Sequence, residues 1–297
     1  MVEKVLVIGA SGLVGSSLYE RFSKEYEVIG TYNSHKFANL IHLDLLDISE
    51  LKKILNEFNP SIILLPAALS SVEYCEENKD DCWKYNVTAP SNLIRLIGKS
   101  DTKLVFYSTD YIFNGEEGPY SEEDIPNPLN NYGKAKLETE NNIINNISNY
   151  LILRTTVVYG WELLGKNFIY RLIENTKKHQ VTKVPKDQNG TPTFVENVAE
   201  ATLKLIKSNK FGIYNVAGSE LMSRYEFAKI AAEIFNLDKN HIHPVLTTDL
   251  NQIASRPLNG GLKIDKLRKN IKINMMKPRE GLVHMLKNKK NYTIINI

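Results

Sequence analysis

Short apolar runs alternate with longer amphipathic stretches through the first half of the chain, the pattern of parallel strands joined by right-handed helical crossovers. Val5 to Ile8, Glu27 to Thr31, Leu40 to Leu43, Ile62 to Leu65, Leu104 to Tyr107 and Leu151 to Leu153 predict strands. Ile62-Ile63-Leu64-Leu65 is apolar at every position, as a strand covered on both faces must be. Leu51, Ile54, Leu55 and Phe58 recur at helical spacing, with Ser49 as the predicted N-cap, although Lys52 stands where a capping box would want Glu or Gln. After Gly160 the alternation turns irregular, with Pro-, Asn- and Thr-rich segments at 185–192 and 255–261, while Glu196 to Lys207 and Ser223 to Phe235 keep helical spacing. The pattern predicts an α/β fold, a doubly wound parallel sheet over about residues 1–160. A smaller substrate-binding lobe follows over about 161–297, with segments that return to the sheet. A ligand would lie in the cleft between them, outside the carboxyl ends of the strands.

The 297 residues are 42% apolar and 24% charged, an ordinary globular balance that excludes disorder and collagen-like repeats. The longest apolar stretch, Ile62 to Leu69, contains Pro66 and falls well short of the roughly 18 to 20 residues that cross a bilayer. No secretory pattern precedes Val5, so the expected address is cytoplasmic. The net charge of +3 is spread along the chain and rises only around Lys287, Lys289 and Lys290, a solvated end rather than a nucleic-acid surface. The two cysteines, Cys75 and Cys82, lie in a polar, helix-rich segment; if that segment is one helix they are too far apart for a disulfide, which fits a reducing compartment. No His/Cys cluster has metal-ligand spacing, and no metal is expected. No interface signature is visible, which leaves a homodimer open.

Directly after the first strand comes Gly9-Ala10-Ser11-Gly12-Leu13-Val14-Gly15, followed by a helical run. A tight turn needs a residue without Cβ, a phosphate must approach the backbone closely, and the helix must pack near the strand; three glycines meet these needs. Gly9, Ser11, Gly12, Leu13, Val14 and Gly15 are therefore the candidate pyrophosphate site of a Rossmann-like fold. The Gly-x-x-Gly-x-x-Gly spacing resembles the short-chain dehydrogenase/reductase superfamily, which binds NAD or NADP. A carboxylate closing the second strand would accept a ribose 2′-hydroxyl and repel a 2′-phosphate. Here the stretch is Thr31-Tyr32-Asn33-Ser34-His35-Lys36, without an acid, so NADPH is preferred through Asn33, Ser34 and His35, and NADH is tolerated. The same resemblance assigns the adenine contact to Asp44 and Leu45 and the cofactor ribose to Ala67 and Ala68, at successive strand ends.

Tyr132 and Lys136 stand four apart in a helical stretch and can face one cleft. A phenol with an ordinary pKa near 10 is a poor proton donor at neutral pH, and a neighbouring ammonium would lower that value. Thr109 ends the strand Leu104-Val105-Phe106-Tyr107, where the superfamily keeps a catalytic Ser or Thr able to orient a carbonyl. Thr109, Tyr132 and Lys136 are the candidate catalytic set.

The surrounding residues resemble the dTDP-4-dehydrorhamnose reductase family. The resemblance rests on Ser108-Thr109-Asp110-Tyr111-Ile112-Phe113-Asn114-Gly115, Pro119-Tyr120-Ser121-Glu122, Tyr159-Gly160 with Gly165-Lys166-Asn167-Phe168, Asp187 to Thr193, and Arg256-Pro257-Leu258-Asn259. It implies NADPH-dependent reduction of the C4 ketone of dTDP-4-dehydro-L-rhamnose, a nucleotide sugar of dTDP-rhamnose biosynthesis. Tyr132 would give the proton, Lys136 tune it and bind the nicotinamide ribose, and Thr109 orient the carbonyl. Asp110 and Tyr111 become candidates for sugar contacts, and Asn167, Arg256 and Asn259 for the diphosphate pocket. Asn86 would order the lysine through water or cap a helix. Sugar-nucleotide dehydratases carry a second acid where Tyr111 stands, so reduction is preferred to elimination. Two departures concern the sugar. The family's stacking tryptophan is missing from Arg154-Thr155-Thr156-Val157-Val158, and Gly260 replaces a serine. The same branch includes the regulatory β subunit of methionine adenosyltransferase, which binds NADP without turnover; that is the alternative.

Overall fold

Ile62-Ile63-Leu64-Leu65 lies fully buried at the centre of a seven-stranded parallel sheet. The structure is a computed structural model and describes residues 3–98, 100–162 and 164–288. Lys289 and Lys290 of the basic tail lie outside the described residues. From the N-terminus the chain runs β1 (Lys4–Val7), α1 (Leu13–Phe22), β2 (Glu27–Tyr32), β3 (Ile41–His42), α2 (Ile48–Phe58) and β4 (Ile62–Leu65). It continues through α3 (Val72–Glu77), α4 (Lys79–Trp83), a π-helical turn (Lys84–Thr88), α5 (Ala89–Ile97), β5 (Lys103–Thr109), a 3-10 turn (Asp110–Ile112), α6 (Asn131–Asn146) and β6 (Tyr150–Thr155). The second half adds β7 (Val158–Tyr159), α7 (Phe168–Lys177), β8 (Thr182–Pro185), β9 (Asn189–Gly190), β10 (Thr193–Phe194), α8 (Val195–Lys207), β11 (Gly212–Asn215) and β12 (Met222–Ser223). It ends with α9 (Arg224–Phe235), β13 (Ile242–Val245), α10 (Asp265–Asn270) and α11 (Pro278–Lys287).

The strand order is β3-β2-β1-β4-β5-β6-β11, so the chain reverses direction across the sheet between β1 and β4 and leaves a crevice at their carboxyl ends. Strand alternation divides the core. Val5, Val7, Leu64, Val105 and Leu153 face one layer with α1 and α8, whereas Leu6, Ile8, Ile63, Leu65 and Phe106 face the other with α2 and α5. A third cluster, around Tyr159, Ile169, Leu172, Phe227, Leu282 and Met285, is the core of the lobe beside the sheet. Among the described residues no helix is long and apolar enough to cross a membrane.

Four details depart from the sequence reading. The sheet has a seventh strand, β11, which a four-residue run opening on Gly212 did not announce; it exists because it pairs with β6 and because Asn215 bonds the Tyr120 and Lys263 carbonyls, each at 3.0 Å. The expected strand from Leu40 to Leu43 contracts to two exposed residues at the sheet edge. Asp47, not Ser49, caps α2, accepting from the Ser49 and Glu50 amides at 2.9 and 3.0 Å. The cysteine segment is not one helix, because α3 stops at Asn78 (φ −124°, ψ 68°) and α4 starts again at once.

Helix α6 is fastened to β6 by a buried ion pair. Arg154 reaches Glu140 at 2.7 Å through one amino group and at 3.1 and 3.2 Å through Nε, with Glu140 only 1% exposed. Desolvation and attraction nearly cancel for such a pair, but removing one partner strands a charge in the core. Glu140→Gln is therefore expected to lower unfolding stability by about 3–5 kcal/mol, whereas Glu140→Leu with Arg154→Met together should recover most of that loss; chemical denaturation of the three proteins measures both.

Candidate active site

The glycine turn joins β1 to α1 and is pinned from β2. The Gly9 amide donates to Thr31 Oγ1 at 3.2 Å and the Ala10 amide to the Thr31 carbonyl at 2.7 Å. Gly9 has φ +92°, and a Cβ there would stand 2.9 Å from Ala67, while a Cβ on Gly15 would stand 2.0 Å from the Gly9 carbonyl. Gly12 differs. It has ordinary extended dihedrals, and a Cβ there would meet only the Gly9 carbonyl, at 3.6 Å. The missing side chain at Gly12 thus answers to no protein neighbour and leaves free space at the N-terminus of a ten-residue helix without a side-chain cap. Ser11, Leu13 and Val14 are half-buried along this edge. The arrangement fits an anionic diphosphate.

Asn33, Ser34 and His35 form an exposed loop after β2, open to an added phosphate. Asp44 accepts from the Leu46 amide at 2.9 Å, so it shapes its own turn, and Leu45 is buried beside it. Ala67 abuts Gly9, with Ala68 exposed next to it. Asn86 caps no helix among the described residues. It sits in the π-helical turn and clasps Leu69 from both sides, accepting from its amide at 2.9 Å and donating to its carbonyl at 3.0 Å.

At the carboxyl end of β5, the start of α6 presses on the 3-10 turn so closely that a Cβ on Gly133 would stand 2.1 Å from the Tyr111 carbonyl. Asn130 caps α6 and ties it to the Ser255 carbonyl at 2.9 Å. Thr109 Oγ1 accepts from the Tyr111 amide at 3.2 Å and donates to Asp110 at 3.3 Å. The Tyr111 and Tyr132 rings meet edge to face at 6.2 Å, and Lys136 Nζ lies 3.8 Å from the centre of the buried Phe106 ring. The Tyr132 hydroxyl makes no hydrogen bond among the described residues. Thr109, Tyr132 and Lys136 are thus gathered on one strand end and one helical turn. The expected electrostatics are not there. Burial pushes the Tyr132 phenol up, helped by Cys75 and Asp110, and burial lowers Lys136 to about 7 with only Glu140 pulling the other way. Both groups favour their neutral forms.

The cleft toward the lobe is lined by Asp110, Tyr111, Val157, Gln188, Asn189, Gly190, Arg224 and Pro257, and encloses only ≈20 Å³, room for about one water. Asp110 holds the cleft together, accepting from Thr156 Oγ1 at 2.6 Å and the Gly261 amide at 3.3 Å. Burial still leaves its carboxyl raised. Arg256, expected to meet phosphate, instead ion-pairs with Glu73 and donates to the Tyr111 hydroxyl at 3.2 Å, with only Nε left unpartnered. Asn167 is spent as the cap of α7. It accepts from the Tyr170 amide at 3.2 Å and gives its amide protons to the Gly160 carbonyl at 2.9 Å and Glu162 at 2.7 Å. Asn259 is exposed and accepts from Asn189 at 3.0 Å.

Sequence reasoning missed Arg224. Its guanidinium lines the cleft opposite Asp110, lies 5.7 Å from the Phe168 ring, and has no hydrogen bond or ion pair among the described residues. A signal was present, because Ser223 and Glu226 form a capping box that makes Arg224 the first residue of α9, where a cation opposes the helix dipole.

A family model described as the RmlD substrate binding domain matches residues 3–291. The β subunit of methionine adenosyltransferase 2 from Xenopus tropicalis is 32% identical over 274 residues, covering 90% of this chain and 82% of that protein. The probable low-salt glycan biosynthesis reductase Agl14 of Haloferax volcanii is 30% identical, covering 88% of this chain and 90% of its own. Among solved structures, dTDP-4-dehydrorhamnose reductase of Bacillus anthracis in complex with NADP superposes with a TM-score of 0.89 at 30% identity, over 97% of this chain and all of the other.

Lys136 provides a measurable handle on the site. Between about 7 and its ordinary 10.5 it is neutral when folded and charged when unfolded. The unfolded chain then holds the extra proton, and this residue's contribution to stability rises with pH across that window; below it the full cost of burying the charge stands. Lys136→Met is expected to be more stable than the parent at pH 6, with the advantage narrowing steadily toward pH 10 in urea unfolding. An advantage that stays constant with pH would mean that Lys136 is held charged.

Proposed function

The chain belongs to the RmlD substrate-binding-domain family, and from that premise we propose that it is an NADPH-dependent reductase of the C4 ketone of dTDP-4-dehydro-L-rhamnose or a related sugar nucleotide. The observation that carries the reading is the close docking of α6 on the end of β5, which gathers Thr109, Tyr132 and Lys136 at the carboxyl end of β5, two strands from β1 and its turn of Gly9, Gly12 and Gly15. The NADP held by the Bacillus anthracis reductase supports the cofactor. The proposal extends to the division near residue 160, a cytoplasmic address and a homodimer.

Gly9, Ser11, Gly12, Leu13, Val14 and Gly15 would hold the dinucleotide's pyrophosphate, Asp44 and Leu45 its adenine, Ala67 and Ala68 a ribose, and Asn33, Ser34 and His35 the 2′-phosphate. The bound cofactor supplies a hydride to C4. Tyr132, kept protonated by burial, passes its proton to the ketone oxygen as negative charge grows there. The phenolate left behind is balanced by Lys136, which carries charge below pH about 7 and at higher pH when ribose hydroxyls accept from it. Thr109 turns its hydroxyl from Asp110 to the substrate oxygen, and Tyr111 and Asp110 border the sugar. Arg224 takes the diphosphate, a task for which its guanidinium is free, with Asn259 beside it. Arg256 serves by fixing Tyr111.

A second reading, a non-catalytic NADP-binding regulatory subunit, is favoured by the narrow cleft and by the kinship with methionine adenosyltransferase β subunits. Oxidation of NADPH with a panel of 4-keto sugar nucleotides separates the two; no turnover with any of them would leave the regulatory reading. Tyr132→Phe is expected to lower kcat by about 10²- to 10⁴-fold with little change in NADPH affinity. Gly12→Ala should unfold at nearly the parent's temperature yet bind NADPH far more weakly, because in the free protein its methyl makes only an ordinary van der Waals contact with the Gly9 carbonyl. Calorimetric titration should find NADPH bound more tightly than NADH.

A further inference from the structure

We propose that Cys75 and Cys82 are a redox modification site, a dithiol that a peroxide converts to an intramolecular disulfide directly behind Tyr132. They are the only two cysteines of the chain, both free and both buried. The break at Asn78 turns α4 back on α3 and brings the two sulfurs to one amide, since Asn86 Nδ2 donates to Cys75 Sγ at 3.7 Å and to Cys82 Sγ at 3.5 Å. The sulfurs can therefore be no farther apart than the sum of those distances, and Cys75 Sγ donates its proton to the Leu69 carbonyl at 3.5 Å. The neighbouring Cys82, with burial, pushes the Cys75 thiol up, while Cys75 and the Asn86 amide hold Cys82 below its ordinary value. Cys75 keeps its proton on the Leu69 carbonyl, so Cys82 is the nucleophile of the pair. Hydrogen peroxide is close to water in size, and the pair is covered by Tyr132, which is half-buried at the cleft.

The Cys82 thiolate attacks one peroxide oxygen; an S–O bond forms, the O–O bond breaks, and the other oxygen leaves as water after taking a proton. Cys75 sulfur then attacks the Cys82 sulfenic acid, the S–S bond forms, and the hydroxyl leaves as a second water with the Cys75 proton. Two thiols and one hydrogen peroxide become one disulfide and two waters, each sulfur losing one electron. A dithiol reductant reverses the change by thiol–disulfide exchange.

The location gives the bond consequences. The two sulfurs pack with Val87 and Ala135 against Leu69 and Tyr132, and Leu69 is two residues from the Ala67 that abuts Gly9. Helix α3 also carries Glu73, which binds Arg256 and accepts from the Ile253 amide at 2.8 Å and the Ala254 amide at 3.3 Å. Drawing Cys75 and Cys82 to an S–S distance of about 2 Å moves α3 against both the cofactor side and the substrate side of the cleft. Only this consequence rests on the active-site reading; the sulfur chemistry is independent of it.

The test treats the purified full chain with hydrogen peroxide. Free thiols, counted after denaturation, should fall from two to zero, the intact mass should drop by two hydrogens, and a digest should contain Cys75 linked to Cys82; dithiothreitol should restore both thiols. Cys75→Ser should trap a sulfenic acid at Cys82 that dimedone labels, and Cys82→Ser should resist peroxide. Oxidation should weaken NADPH binding by the parent and leave binding by the Cys75→Ala, Cys82→Ala protein unchanged. Two thiols still titratable after peroxide, oxygen added without a cross-link, or a cross-link between chains would overturn the proposal whether or not the protein reduces any sugar.

Discussion

The site depends on where one helix is anchored. Helix α6 carries Tyr132 and Lys136 on its first turns, and its third turn places Glu140 against Arg154 in the core. In so dry a place the carboxylate has no second choice of partner, so the helix cannot rotate or slide without stranding a charge. The remaining fastenings act in the same direction. Thr139 donates to the Asn86 carbonyl at 2.5 Å, Asn130 holds the Ser255 carbonyl, and Gly133 admits the Tyr111 carbonyl. One anchor thereby sets the catalytic candidates against β5, the π-helical turn and the loop after β4 together.

Burial then decides the electrostatics. A phenol and an ammonium exchanged between water and this cleft both move toward neutrality, because the cost of an isolated charge outruns their mutual help. The same accounting explains why most polar candidates are already committed. Asp110, Asn167 and Asn86 satisfy their buried atoms with protein partners, as buried polar groups must, and Arg256 does so at all but Nε. Against that background the uncommitted Tyr132 hydroxyl and Arg224 guanidinium stand out as groups able to meet a ligand without first breaking a bond.

The two departures from the family pattern acquire physical content in the fold. Val157, where a stacking tryptophan was expected nearby, adopts φ +43°, a conformation that β-branched residues resist, and it lines the cleft with its small side chain. At Gly260 a Cβ would stand 3.0 Å from Asp110 Oδ2 and 3.3 Å from the Asn189 carbonyl, so a serine there would crowd the carboxylate that closes the cleft. Asp110 and Arg224 line the same cleft as Val157.

Local periodicity determined much of this protein. The alternation of apolar runs was enough for the parallel sheet, unbroken hydrophobicity marked β4 as covered on both faces, and three glycines after β1 marked the turn, because each signal lies within a few neighbouring residues. The positions of Thr109, Tyr132 and Lys136 at a strand end and a helix start were legible for the same reason. Only the tertiary structure decided which polar groups are spoken for, that β11 completes the sheet, that Asp47 rather than Ser49 caps α2, and that Cys75 and Cys82 share one amide. Those outcomes depend on pairings between segments distant in the chain and on the loss of water around them, and neither is written in the spacing of residues.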